Sequence, residues 1–369
     1  MTTTMWKQSP GSNSYSDASN WTSGVPSNTG DTAVFVASNF TNISLVSNFD
    51  FVGAWVFEPG ASQYNFEISG GNLSQFSVVG FGIGGITING GSVHIYNFGE
   101  VSFDGNSSNI SSASGAYITN FADVVFDNYC TAASSTIDTV GSLGPGSGTI
   151  GQGHSTGGSA QRITDAGGTV DFSKSLGLSG NHQLTVGSIA GEGIYDLGGD
   201  ELTVGSNGLS TTVSGAVDDG GIGAGIGGSL VKVGRGTLTL SGAGNTYSGG
   251  TTLQGGTLDL AAIGAAGTGN ITFQSGGKHN IETLKIENAA LLGHHFTNKI
   301  DNFGKHDVLD LTGLHFHPGA TAKYHPATEV LAVHSGHATY KLTLVSPHGT
   351  HFEAASDHHG GTEVFLFFA

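Results

Sequence analysis

Ser229-Leu-Val-Lys-Val-Gly-Arg-Gly-Thr-Leu-Thr-Leu-Ser-Gly-Ala-Gly-Asn-Thr-Tyr-Ser-Gly-Gly-Thr-Thr-Leu-Gln-Gly-Gly-Thr-Leu258 is the stretch on which the fold reading turns. It is built of short strand-like runs separated by glycine turns. The pattern extends in both directions. Leu184-Thr-Val186 recurs as Leu202-Thr-Val204 at an offset of 18, Leu238-Thr-Leu240 follows after a further 36, and Leu258-Asp-Leu260 after 20. A period near 20 with short strands predicts a solenoid. Proline agrees: none occurs from Gly146 to His317. In a stacked parallel sheet nearly every strand is interior, and proline there removes a ladder hydrogen bond. Gly and Asn tolerate the positive φ of tight corners.

Further out, β-branched and aromatic runs recur at Ala33–Ala37, Ile43–Val46, Phe49–Phe57, Tyr64–Ile68, Ile86–Ile88, Val93–Tyr96 and Val124–Phe126. Along Tyr64, Phe66 and Ile68 the side chains alternate with Asn65 and Glu67, as on a strand with one buried face. No 12-residue segment carries a helical stripe. The composition says the same: 63 of 369 residues are Gly, only 11% are charged, and 37% are hydrophobic. A single Cys excludes a disulfide framework. A net charge of -17 and two arginines, Arg162 and Arg235, argue against nucleic acid. No apolar run reaches 18 residues, so membrane insertion by a helix is not expected.

The 229–258 stretch resembles the autotransporter-associated β-strand repeat, and Ile189–Gly215 is similar to the coils that flank it. Asn20-Trp-Thr-Ser-Gly-Val-Pro-Ser-Asn-Thr-Gly-Asp-Thr-Ala-Val-Phe35 resembles the opening cap of such passengers. The resemblance implies an all-β chain, a right-handed parallel β-helix exposed outside a bacterial cell. The expected organisation is an N-terminal cap over 1–35, the β-helix over 36–290, and a small His-rich C-terminal β-module over 300–369. No long C-terminal stretch for an outer-membrane barrel follows. The ending Glu363-Val-Phe-Leu-Phe-Phe-Ala369 resembles a type I secretion signal, with a plain last strand as the alternative.

Of 16 histidines, 13 lie at or beyond His279. His334/His337 and His348/His351 are spaced so that a turn can bring imidazoles together around a transition metal. Solvated turn histidines are the plainer reading. Calcium is a second option with no residues assigned: Gly198-Gly-Asp-Glu201 and Asp218-Asp-Gly-Gly221 are the nearest approaches to a calcium-binding nonapeptide, and neither repeats at nine residues. Asp196, Asp200, Glu201, Asp218 and Asp219 supply carboxylates without a spacing that singles out a catalytic pair. No enzyme activity is expected. Trp6, Trp21 and Trp55 fit a plug over the first coil better than a sugar platform. The expected function is a secreted structural protein that polymerises head to tail into a filament, layer or matrix coat. The joints are Trp6 at one end and Val364, Phe365, Leu366, Phe367 and Phe368 at the other. A monomeric adhesin binding cell-surface polysaccharide is the alternative, and a polysaccharide-degrading β-helix enzyme the third reading.

Overall fold

The computed structural model describes residues 1–46, 50–69, 77–141, 148–274 and 281–367. They form short β-strands, with two 3-10 turns at Ala18–Asn20 and Asn288–Ala290. The chain divides into two compact units, Met1–Gly187 and Ser188–Ala369. The sequence reading drew no boundary there. Each unit is a stack of parallel coils, a β-solenoid.

In the first unit, one face (face A) stacks Thr3–Met5, Thr32–Phe35, Asp50–Phe57, Val78–Ile88, Glu100–Asp104, Asp123–Asp127, Thr149–Gly153 and Thr169–Ser175, all parallel. A second (face B) stacks Asn42–Leu45, Gln63–Ile68, Ser92–Asn97, Tyr117–Asn120, Thr136–Thr139 and Gln161–Thr164. Because strand side chains alternate, in-register stacking places like on like along the axis. Phe81, Phe103 and Phe126 stack inside, with ring centroids 4.9 Å apart at each step. At the corner after face B, buried Asn97 donates from Nδ2 to Oδ1 of Asn120 (2.8 Å) and to the carbonyl of Asp123 (2.7 Å). Asn120 repeats the pattern one coil on, toward the carbonyls of Ala122 and Gly148. These amides add side-chain hydrogen bonds to buried turn carbonyls at each coil.

The N-terminal residues close the first coil. Thr22 lies along the outer edge of Thr3–Met5: its N–H donates to Met5 O, and its Oγ1 accepts from Met5 N. Asn13–Tyr15 covers the edge of Asn42–Leu45 through Tyr15 N–H to Ser44 O and Ser44 N–H to Asn13 O. Beneath, Trp6, Trp21, Trp55 and Tyr15 fill the lumen. Trp6 and Trp21 meet edge to face at 5.2 Å. The indole N–H groups reach the carbonyls of Phe40 and Tyr15 and the hydroxyl of Tyr15, as buried tryptophans require.

In the second unit one stack runs Ser188–Gly191, Thr211–Val213, Thr237–Leu240, Gly256–Leu260, Glu282–Ile286 and Asp307–Leu311. Another runs Glu201–Val204, Ser229–Lys232, Gly250–Leu253, Ile271–Phe273 and His295–Asp301. Leu230, Leu238, Leu240, Leu253, Leu258 and Leu260 all point into the core. Turn glycines stack so closely that a Cβ on Gly256 (φ +69) would meet the carbonyls of Gly234 and Gly236 at 2.5 and 2.6 Å. Lys232 is buried and caps this turn stack, donating from Nζ to the carbonyls of Val233, Gly234 and Gly255.

Parallel stacking continues through Asp307–Leu311, inside the 300–369 stretch expected to form the module. The antiparallel part begins at Thr321. Its strands lie in the order Ala338–Val345, Val330–Ser335, Thr321–His325, His351–Ser356, Thr362–Leu366. Both outer strands join the last coil. Ala338–Val345 runs parallel to His295–Asp301, and Thr362–Leu366 antiparallel to Asp307–Leu311. This five-stranded sheet therefore occupies the edges that the end coil would otherwise expose to other chains.

Candidate binding surface

Face B of the first unit carries two outward rows. Asn42, Asn65, His94, Tyr117 and Thr136 are register neighbours, as are Ser44, Glu67, Tyr96, Thr119 and Asp138. Alternation sends these side chains outward while Ile43, Phe66, Ile95, Ile118 and Ile137 fill the lumen. The Asn65 amide donates to Asn42 Oδ1 (2.8 Å), and His94 Nε2 lies 2.8 Å from Thr119 Oγ1. The His94 ring stacks on Tyr96 at 4.0 Å and meets Tyr117 edge-on at 4.7 Å. Tyr96 and Tyr117 are nonetheless 37% and 38% exposed, which leaves ring surface open to solvent. A groove of about 240 Å³ lies beside them, lined by Asn13, Asn42, Ser44, Asn65, Glu67 and Tyr96 among others.

Burial lowers the pKa of His94, favouring the neutral imidazole. Burial, then the charge of Asp138, raises that of Tyr117, whose hydroxyl lies 3.4 Å from Asp138 Oδ2. Asp138 is itself raised, by burial and then by Asp165.

Face A has a second groove, of about 430 Å³, lined by Phe51, Gly80, Glu100, Ser102, Asp104 and Asp127 among others. Register sets Glu100 beside Asp123 and Asp104 beside Asp127. Burial, then repulsion from Asp123, raises the carboxyl of Glu100; burial raises that of Asp123.

Several charged residues of the second unit bond the fold itself. Asp219 accepts from Gly227 N, Gly228 N and Ser248 Oγ, and Asp218 from Thr246 N and Oγ1. An outward row in the second unit runs Thr239, Asp259, Lys285, Asp310, Glu363. Lys285 bridges Asp259 at 2.8 Å and Glu287 at 3.2 Å. Burial, then the nearby Asp357, pushes Asp310 up to about 6. Burial, then Asp307 on the next strand, pushes Glu282 up to about 7.

The four histidines proposed as metal ligands are all exposed. His334 lies in a strand with Nδ1 2.9 Å from Thr339 Oγ1, and His337 sits in the turn that follows. His348 Nε2 is 2.6 Å from Asn302 Oδ1, and His351 opens the next strand. Among the described residues, no group of three or more His, Cys, Asp or Glu is placed to hold a metal ion.

The expected joints are occupied within the chain. Trp6 is completely buried in its own unit. Thr362–Leu366 is paired on both sides by strands of its own chain. Val364 and Leu366 are buried, Phe365 is half-buried and Phe367 is exposed; Phe368 lies outside the described residues. Along Thr362–Leu366 the backbone groups that strand addition would use are already engaged by neighbouring strands of the same chain.

Residues 230–260 match the Passenger-associated-transport-repeat family. The chain carries a passenger-type β-helix repeat. In the structure this repeat spans Ser229–Lys232, Thr237–Leu240, Gly250–Leu253 and Gly256–Leu260, with buried Lys232 holding its turns. No curated protein and no solved structure matches the chain. Among the described residues no helix is long and apolar enough to cross a membrane.

Sequence reasoning did not find the face B aromatic row. One signal for it was present. His94-Ile-Tyr-Asn-Phe-Gly-Glu-Val-Ser-Phe-Asp104 recurs as Tyr117-Ile-Thr-Asn-Phe-Ala-Asp-Val-Val-Phe-Asp127. That repeat sets the register which brings His94 against Tyr117.

Proposed function

We propose that this chain is an exported, cell-surface β-helix of the passenger type, working as a capped monomer whose side faces do the binding. The observation that carries this reading is the closure of strand edges. Residues 13–15 and 22 cover both strands of the first coil, and a five-stranded antiparallel sheet covers both strands of the last. An uncapped solenoid polymerises or aggregates through such edges, and polar or amphipathic caps prevent it. The transport repeat at 230–260 supports export to the cell exterior. The role is non-catalytic in this reading, with the turn carboxylates of Asp218 and Asp219 bound up in backbone and hydroxyl contacts. A surface coat or filament would then form through side faces and not by end-to-end strand pairing. Sedimentation velocity with negative-stain microscopy of the purified chain tests it. A single monomeric species is the expected result; end-to-end filaments would overturn the reading.

A further inference from the structure

The outer surface of face B in the first unit combines three things in one place: open aromatic ring surface, fixed amides and uncompensated carboxylates. We propose that it is a binding site for a neutral polysaccharide, lying across the strands along the row that holds His94 and Tyr117, with Tyr96 of the adjoining row beside it. This deepens the monomeric surface reading above and rests on it.

A sugar ring presents an apolar C–H face and a rim of hydroxyls. An aromatic ring accepts the first, and amide or carboxylate groups accept or donate to the second. Here Tyr96 and Tyr117 are more than a third exposed although both rings are packed against His94. The rings are therefore held in place before any ligand arrives, which lowers the ordering cost of binding. The Asn42–Asn65 amide pair lies in the two preceding coils of the row that holds His94 and Tyr117. The Glu67 carboxylate lines the adjoining groove together with Tyr96. Neighbouring strands lie about 4.8 Å apart, so the row from Asn42 to Tyr117 extends about 14 Å, long enough for several successive rings of one chain.

Charge selects the class of polysaccharide. Lys7 is the one Lys or Arg in residues 1–161, and the surface itself carries Glu67 and Asp138. A uronate or sulfated chain would meet repulsion with no cation to receive it, whereas a neutral chain meets only hydrogen-bond acceptors and donors. A second copy of this chain would bring another acidic surface to the same place, which disfavours it as the occupant.

The test uses the full chain and a defined set of probes: mannan, dextran, laminarin and chito-oligosaccharide as neutral ligands, and polygalacturonate as the anionic control. Binding is measured by calorimetry and by retardation in affinity electrophoresis. Binding of at least one neutral probe is expected, persisting in about 0.5 M salt, where surface charge effects are screened. The Tyr96→Ala, Tyr117→Ala double variant should weaken it at least about tenfold while its thermal midpoint stays near that of the parent. Glu67→Gln is a second, milder probe of the same groove and should weaken binding severalfold. Failure to bind any neutral probe, equal binding by the double variant, or preference for polygalacturonate overturns the proposal. Dimerisation abolished by the same substitutions would identify the surface as a self-contact and also overturn it. Sedimentation reads the monomeric state separately, so a monomer that binds no sugar refutes this site and leaves the capped-scaffold reading standing.

Discussion

Removing the last strand should cause association. Consider a chain truncated after Gly361. It loses three register pairs to Asp307–Leu311 and five to His351–Ser356. Roughly one backbone hydrogen bond per pair, at about 1 kcal/mol each, is forfeited. Burial of Val364 and Leu366 contributes about 2 kcal/mol apiece. Ordering the strand costs about 1.5 kcal/mol per residue. For the five residues Thr362–Leu366 the net loss is about 4.5 kcal/mol, a large part of a domain's total stability. It also exposes the edges of Asp307–Leu311 and His351–Ser356 together. The truncated protein should therefore show a lower thermal midpoint and form concentration-dependent oligomers in sedimentation velocity. A truncated chain that is monomeric and as stable as the parent would show that the last strand is not an edge cover, and the capping argument would fail with it.

Other expectations follow from individual residues. Lys232→Met removes the donor to three turn carbonyls and should cost about 2 kcal/mol in urea unfolding at pH 7. Burial lowers Lys232 to about 8, so the unfolded chain binds more protons above that pH. Stability from this group should rise between about pH 8 and pH 10, and the Met variant should lose that rise. Asn120→Ala removes the side-chain donor to the carbonyls of Ala122 and Gly148 and the acceptor of one Asn97 N–H and of the Ala122 N–H, and should cost about 3 kcal/mol by the same assay. Glu282 and Asp310 have raised folded pKa values, about 7 and about 6, so the folded state holds protons that the unfolded chain has released. Their contribution should fall as pH rises from about 4.5 to about 7, and Glu282→Gln should flatten the thermal midpoint over that range.

The metal and assembly readings share one basis, spacing and composition along the chain. Spacing along a chain says which side chains are near in sequence, not which way each one faces. His334 sits on a strand, whereas His337, three residues on, is in the turn. An apolar tail such as Val364–Phe367 reads equally well as a sticky end or as a strand tucked into its own chain. The choice rests on partners far away in sequence: Thr362 bonds the carbonyl of Leu314, 48 residues off, and Tyr340 bonds Asn288, 52 residues off.

Local pattern alone determined that this chain is an all-β solenoid. Stacked parallel coils repeat one environment, so a leucine that fits the lumen once recurs at nearly the same interval, and glycine recurs where turn backbone touches turn backbone. The tertiary structure alone decided where the stack stops and what its surface offers. Edge closure depends on which strand pairs with which, and the His94–Tyr96–Tyr117 surface depends on register between coils. A one-residue change of that register would turn Tyr117 into the lumen and Ile118 out to solvent, with no change in the sequence of either strand.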